Sequence, residues 1–439
     1  MNKILNYLVN NIFKIVIIYF IIQILLVIFW QVPFSSDSQY YYKLAQDCLR
    51  YHSLYPAKVH IFEDYILAPL YVNLIIAALS IHNSIITIGI LNILLNALQM
   101  YLFFKLSNRL FNRRAAFTGL LLYMLYINTL GMVLTNLTEF LFGILILSSL
   151  IFFFNNTINS FFLSGLFAAA SIAVRPLGWA LAAALIIIMI IKTIKKEKIL
   201  KELLAVVLGI SIFICAYGTI SKIYFGDFIF SSTNGPANLL IGANDDATGA
   251  FKSEVFEPGK IGYIPNPNEI TYIEKGKFWQ GKAEDWILAH PIKWLSLIPR
   301  KIFFMFILDD FTIPYLSHMQ GLYLPKFAKM ILQGSYSQIF KDKPYYLIII
   351  YSFILILSYI YYFYIMLILL FSTIRAMVYR RLDSKYLPVI LFILIGLSIT
   401  VIVFGDARFK YPYMLLIILF ASLPVSKYLA GAKLFFYRA

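Results

Sequence analysis

The chain has 439 residues, of which 61% are hydrophobic and only 13% are charged, and its mean hydropathy is +0.80. A water-soluble domain of this length would expose far more charge, so the composition excludes an ordinary soluble protein. The net charge of +16 does not indicate nucleic-acid binding, because the basic residues form short clusters between long apolar runs.

Ten apolar runs predict membrane-spanning segments, which must be helices because irregular backbone cannot face lipid. The first run is too long for a signal-peptide core and is followed by Gln-Val-Pro-Phe, so we expect it to be retained. The expected fold class is all-α, a polytopic transmembrane protein of about ten spans and at most twelve. The predicted spans are residues 12–30, 84–104, 115–133, 136–154, 161–174, 177–191, 202–221, 346–371, 386–404 and 411–427.

The basic clusters predict the orientation of these spans. They follow the second, sixth, eighth and tenth spans, so the preference of Lys and Arg for the cytoplasm places both termini there. We therefore expect a multi-pass protein of the cell membrane, in the manner of a bacterial inner-membrane protein. The clusters are Lys105, Arg109, Arg113 and Arg114; Lys192, Lys195, Lys196, Lys198 and Lys201; Arg375, Arg380, Arg381 and Lys385; and Lys427, Lys433 and Arg438.

The same pattern divides the chain into three parts. Residues 1–221 form an N-terminal transmembrane module with a first outer loop at 32–83, and residues 346–439 form a C-terminal transmembrane module. Between them, acidic and basic residues nearly balance in the middle segment, residues 222–345, as expected of a large region on the outer face.

Two further apolar stretches are ambiguous. Residues 65–80 predict a membrane-hugging or re-entrant helix, and residues 292–308 predict an interfacial helix. If both cross the membrane, the count becomes twelve and the orientation of the intervening segments reverses.

Residues 161–191 contain Arg175-Pro176 at their midpoint. A charge at the centre of the bilayer is costly, so we predict two short helices with Arg175 in a turn at the outer surface. Broken helices of this kind often mark functional regions of membrane proteins.

Several charged residues from distant parts of the chain fall on the predicted outer face. A carboxylate beside outward-facing arginines would suit a lipid phosphate and a general base. The candidates are Asp37, Glu63, Asp64, Glu139, Arg175, Asp406, Arg408 and Lys410.

Each candidate also has a simpler interpretation. Asp37 is also explained as a solvated loop residue or a helix N-cap, and Glu139 as the cap of its own span. Arg175 and Arg408 fit ordinary interface anchors. Glu63 and Asp64 fit solvated loop charges, and the spacing of the loop histidines His52 and His60 matches no particular metal motif.

Five stretches together resemble the GT-C class of integral membrane glycosyltransferases, specifically the protein O-mannosyltransferase and aminoarabinose transferase group. Their order, spacing and predicted sidedness carry the resemblance across most of the chain. They are SSDSQYYYKLAQDCLRYHSLYP with LAPLYVNLIIAAL; TNLTEFLFGILIL; AVRPLGW; NGPANLLIGANDDATGAF with AEDWILAHPIKWLSLIPRKI; and GDARFKYPYMLLIILF.

The resemblance implies inverting transfer of a sugar from a polyprenyl-phosphate carrier to a lipid, glycan or protein acceptor outside the cytoplasm. By position, Asp37 would be the catalytic base and Glu139 a second catalytic acid that orients sugar or metal. Arg175, Arg408 and Lys410 would bind the lipid phosphate, with Glu63, Asp64 and Asp406 as accessory groups.

The chain departs from this group beside the proposed base. Many members carry a second acidic residue there, whereas Ser36 and Ser38 flank Asp37 in this sequence. The resemblance therefore implies no required cofactor, and it leaves undecided whether a divalent metal takes part.

Three other functions remain open from the sequence. One is a transporter or lipid flippase, which would have charges at mid-span depth and inverted repeats. Another is a non-catalytic subunit of a membrane complex. The third is a polymer-joining ligase that uses a lipid-diphosphate donor.

Overall fold

The computed structural model describes residues 11–194, 199–332, 344–378 and 383–429, and its regular secondary structure there is entirely helical. One isolated bridge pairs Ala250 with Gly405. Some residues of the predicted basic clusters lie outside the described residues, namely Lys195, Lys196, Lys198, Arg380, Arg381, Lys433 and Arg438.

Within the described residues, ten α-helices precede the middle segment. In chain order they are α1 Ile12–Phe29, α2 Ser36–Arg50, α3 Pro69–Ile81, α4 Ile85–Leu110, α5 Arg113–Leu125, α6 Ile127–Gly131, α7 Glu139–Phe153, α8 Ile158–Ile172, α9 Gly178–Ile194 and α10 Leu200–Tyr224. Short 3₁₀ helices lie at Lys58–Phe62 and Met132–Leu134.

The remaining described helices are shorter in the middle segment and long again after it. They are α11 Gly235–Ile241, α12 Tyr272–Ala289, α13 Pro291–Ser296, α14 Ile298–Ile307, α15 Ile313–Leu316, α16 Leu324–Leu332, α17 Tyr345–Val378, α18 Leu387–Ile402 and α19 Tyr411–Leu429. The 3₁₀ helices here are Ser253–Phe256, Ser384–Tyr386 and Ala407–Lys410.

Among the described residues, six helices are long and apolar enough to cross a membrane. These six correspond to α1, α4, α10, α17, α18 and α19. A seventh results if α5 and the run Ile127–Leu134, which meet at a bend of 63°, count as one broken span. The chain is thus an all-helical protein with several candidate spans, while the count of ten stays a prediction.

The other predicted spans correspond to shorter helices. Helices α7 and α8 have 15 residues each, or about 22 Å at 1.5 Å per residue, against a hydrocarbon core of about 30 Å. The stretch predicted as membrane-hugging forms α3, which has 13 residues and begins at Pro69. The stretch predicted as one interfacial helix forms two, α13 and α14.

The predicted break at Arg175-Pro176 is confirmed. Helix α8 ends at Ile172 and α9 begins at Gly178, with a turn between them. Proline has no N–H to donate and disfavours helical backbone in the residue before it, so the helix stops ahead of Arg175.

One large core joins the first and last thirds of the chain, from Tyr19 on α1 to Val425 on α19. Small residues let some helices touch by their backbones: a Cβ on Gly165 would lie 2.1 Å from the Val206 carbonyl oxygen. The middle segment has a second core around Trp279 and Trp286, and Phe404 belongs to it. Through Phe404, the middle segment packs against the loop just before Arg408.

Candidate active site

Asp37 lies in the first turn of α2, and its side chain is 59% exposed. The helix is capped at Ser35 without a side-chain cap bond, so the N-cap interpretation of Asp37 is wrong. Its neighbour Ser36 has a φ of 51°, in the left-handed region that non-glycine residues rarely adopt. Backbone strain of this kind persists where surrounding contacts fix the chain.

Those contacts hold the residues on both sides of Asp37. The Ser35 hydroxyl lies 3.0 Å from the hydroxyl of Tyr315, and the Ser38 hydroxyl accepts from the backbone N–H of Asn136 over 3.1 Å. Asp37 is therefore presented by a segment that two different elements tie down.

Glu139 is the first residue of α7, and its side chain is completely buried. A carboxylate suits this position because the backbone N–H groups at a helix N-terminus are unpaired. Its Oε1 accepts from Arg175 Nη1 over 2.8 Å and from Arg408 Nε over 2.5 Å. One buried oxygen thus holds both guanidinium groups.

Arg175 comes from the turn between α8 and α9. Its backbone N–H donates to the Ser171 carbonyl over 2.9 Å, and its own carbonyl accepts from Gly178 over 2.9 Å. The side chain is 13% exposed, and its guanidinium carbon lies 5.9 Å from the centre of the Phe142 ring.

Arg408 is presented by the 3₁₀ turn Ala407–Lys410. The Asp406 carboxylate caps this turn by accepting from the Arg408 N–H over 2.8 Å, and burial raises the pKa of Asp406. Just before it, the Gly405 N–H donates to the Gly249 carbonyl over 2.8 Å. Asp406 therefore shapes the turn, and the middle segment supports it.

The Arg408 Nη1 donates to Asp37, so four residues form one chain of ion pairs: Asp37, Arg408, Glu139 and Arg175. We call them the arginine–carboxylate cluster. Two positive and two negative charges balance within it, and only Asp37 is largely exposed. Burial raises the pKa of Tyr41, which interacts electrostatically with all four residues, to about 12.

Lys410 does not make an ion pair with this cluster. Its Nζ lies 3.1 Å from Asp309 Oδ1, both side chains are fully buried, and the ammonium also donates to the Leu308 carbonyl. Burial raises the pKa of Asp309 to about 6 despite this partner. Tyr126 and Asn128 donate to the same carboxylate over 2.8 and 3.1 Å. Lys410 thus secures the last helix to the segment at Asp309.

Glu63 and Asp64 also pair elsewhere. Glu63 accepts from the Tyr40 hydroxyl over 3.2 Å and lies 3.5 Å from Lys43. Asp64 lies 3.0 Å from Lys275, a buried lysine of α12 that also donates to the Phe62 carbonyl. The Lys275 contacts join the first loop to the middle segment, whereas the contacts of Glu63 stay within the first loop.

The sequence interpretation missed two groups that organise this region. Asp309 stands in an Asp-Asp pair directly after an apolar run, a signal that could have identified it. Asn136 carries no such signal. Within the described ranges, no group of three or more His, Cys, Asp or Glu side chains lies together as metal ligands would.

No protein-family model matches this chain, and no match emerged from comparison with curated proteins or with solved structures.

Proposed function

We propose that the chain is an integral membrane glycosyltransferase that moves a sugar from a polyprenyl-phosphate carrier to an acceptor hydroxyl, with inversion at the anomeric carbon. The observation that carries the proposal is the arginine–carboxylate cluster, in which one exposed carboxylate pairs directly with Arg408 and is linked through Glu139 to a second guanidinium group, that of Arg175. Its residues come from the first loop, the start of α7, the Arg175 turn and the 3₁₀ turn before the last helix.

In the proposed reaction the acceptor oxygen attacks the anomeric carbon as the bond from that carbon to the phosphate oxygen breaks. Asp37 takes the proton of the acceptor hydroxyl, which is general base catalysis. The polyprenyl phosphate leaves with one more negative charge than it carried as a diester.

The two arginines are suited to stabilise the additional negative charge on the departing phosphate. Guanidinium is always protonated and offers paired donors that match phosphate geometry. Positive groups already held in place stabilise charge that develops in the transition state. Glu139 fixes these groups without neutralising them fully, since Arg175 and Arg408 share its one buried oxygen.

The carrier also fits the environment of the cluster. A lipid-linked donor reaches the site from the bilayer and brings its own leaving group, so the reaction needs no nucleotide. The apolar helices around the cluster would accept the polyprenyl chain between them.

The test is sugar transfer by the purified full-length protein in lipid nanodiscs. The donors are polyprenyl phosphates carrying mannose, glucose or aminoarabinose, and the acceptors are alkyl glycosides, lipid A and serine peptides. We expect transfer by the wild type and a loss of about 100-fold or more in Asp37→Asn. The matched control, Asp47→Asn, makes the same change in charge on the same helix and should transfer normally.

Unaltered transfer by Asp37→Asn would remove Asp37 from the role of base. No transfer from any of these donors, together with lipid movement across reconstituted vesicles, would favour a flippase or transporter instead.

A further inference from the structure

The Arg408 guanidinium is only partly occupied. Its Nε donates to Glu139 and its Nη1 to Asp37, while Nη2 donates to no atom in the ranges that the structure describes. The terminal pair of donors, Nη1 and Nη2, therefore has one nitrogen engaged and one available.

A phosphate oxyanion prefers two parallel hydrogen bonds from such a pair. To bind Arg408 in this way, the phosphate needs Nη1 as well as Nη2. Asp37 accepts from Nη1, and although this nitrogen carries a second N–H, the negative charge of Asp37 would repel a phosphate at the same place. The two anions therefore compete for this end of the guanidinium.

Burial decides which carboxylate moves. Glu139 is completely buried between two guanidinium groups, so its departure would leave charges uncompensated inside the protein, which is strongly unfavourable. Asp37 is 59% exposed, and water replaces its lost contact at little cost.

We propose that the donor phosphate displaces Asp37 from Arg408, while Glu139 remains in place as a positioning residue that holds both guanidinium groups. This inference rests on the proposed function. Before the donor binds, the Asp37 carboxylate, which is the proposed base, is paired with the Arg408 guanidinium. After binding, that carboxylate is free to accept the proton of the acceptor hydroxyl, so the donor binds first and the acceptor second.

The experiment measures binding of farnesyl phosphate, a short soluble probe, to the purified full-length protein. Asp37→Asn removes the competing anion and should bind the probe about five-fold tighter or more. Glu139→Gln makes the same change in charge but releases the arginines, so it should bind the probe about five-fold more weakly. Because both variants lose one negative charge, a general electrostatic effect would change both affinities in the same direction. Opposite changes in affinity therefore indicate local competition at Arg408.

Two further variants control this comparison. Asp47→Asn removes the same charge about 15 Å along α2 and should stay within two-fold of the wild type. Glu139→Asp keeps the charge but shortens the side chain, and it should also weaken binding of the probe. It takes the place of Glu139→Gln in the comparison if that variant does not fold.

Equal affinities in Asp37→Asn and Asp47→Asn would overturn the displacement, and tighter binding in the Glu139 variants would overturn the positioning role. The proposed function fails separately. If Asp37→Asn binds the probe more tightly but no donor supports sugar transfer, the displacement stands and the glycosyltransferase proposal fails. If the wild type transfers sugar but Asp37→Asn binds the probe with unchanged affinity, the glycosyltransferase proposal stands and the displacement fails.

Discussion

Asn136 donates two hydrogen bonds to Ser38: its backbone N–H donates to the Ser38 hydroxyl over 3.1 Å, and its side-chain amide donates to the Ser38 carbonyl over 3.2 Å. Ser38 follows Asp37, and Asn136 lies three residues before Glu139. The Tyr71 hydroxyl donates to the Asn136 side-chain oxygen over 3.1 Å. A buried polar contact therefore sets the two carboxylates of the cluster relative to each other.

Asn136→Ala should weaken this contact without touching the charged residues. It takes the partner from the buried Tyr71 hydroxyl, which costs about 1–3 kcal/mol, and removes the amide that donates to the Ser38 carbonyl. We expect a lower thermal midpoint in detergent and about ten-fold slower sugar transfer, a misplacement effect. Asn83→Ala, which removes an exposed contact with Tyr42, is the control. Wild-type values for both properties in Asn136→Ala would contradict the prediction.

Glu139→Gln should destabilise the protein. The change leaves two guanidinium groups next to each other without their shared carboxylate, and breaking a buried pair costs about 3–5 kcal/mol. The double variant Glu139→Gln, Arg175→Gln should recover part of the loss, because one uncompensated charge is then gone. A double-mutant cycle of thermal midpoints in detergent measures this coupling. If Glu139→Gln is as stable as the wild type, the buried ion pairs do not hold the cluster.

Lys410→Met should destabilise the protein by a similar amount, because it leaves the buried Asp309 without a counter-charge. Adding Asp309→Asn should restore most of the stability, since Asn keeps an oxygen for the Tyr126 hydroxyl. Thermal midpoints of the two single variants and the double variant provide the measurement. If the loss in the double variant equals the sum of the losses in the two single variants, this pair contributes no coupling.

The burial of Lys301 predicts that the free energy of unfolding depends on pH. Its side chain is fully buried, its Nζ donates to the Ile402 carbonyl over 3.0 Å, and within the described ranges no carboxylate forms an ion pair with it. Burial lowers the pKa of Lys301 to about 8 from its ordinary 10.5. Between these values the unfolded chain holds a proton that the folded protein has lost, so stability rises with pH across this window.

The comparison uses thermal midpoints of wild type and Lys301→Met at several pH values from about 7.5 to about 9.5. The wild type should gain stability over this range relative to Lys301→Met, in which the titrating group is absent. Lys277→Met removes an exposed lysine and should keep the wild-type slope. Identical slopes in wild type and Lys301→Met would refute the assignment.

Gly405→Ala should disturb the turn that presents Arg408. A Cβ at this position would lie 2.0 Å from the Lys301 carbonyl oxygen, so the backbone has to shift. Displacement of Arg408 by about 1 Å would slow transfer by about 100-fold. Gly281→Ala is the matched control, because a Cβ there meets no atom within 4 Å. Normal transfer by Gly405→Ala would mean that the loop absorbs the shift.

The sequence alone accounts for a good part of the helical arrangement and of the cluster. Apolar runs mark the helices, and Pro176 marks the break at Arg175, because these signals are local and physical. Asp37, Glu139, Arg175 and Arg408 each lie within about seven residues of the end of a predicted span. Alternating spans bring such ends to a common side, and the structure joins these four side chains directly.

Contacts that depend on packing could not be predicted in this way. Lys410 lies only two residues after Arg408, so patterning assigns both to the same phosphate. In a 3₁₀ turn with three residues per turn, side chains two apart point in different directions, and Lys410 pairs with Asp309 instead. Asn136 and Ser38 are uncharged and have no characteristic spacing, so nothing before the fold indicates that they meet.

Asp37 and Arg408 are 371 residues apart in the chain, yet their side chains are paired. Synthesis proceeds from the N-terminus, and domains generally fold in that order. The first loop is therefore made long before Arg408 exists. The cluster closes only after Arg408 has been made, so a chain halted before residue 408 carries the carboxylates and Arg175 but no assembled site.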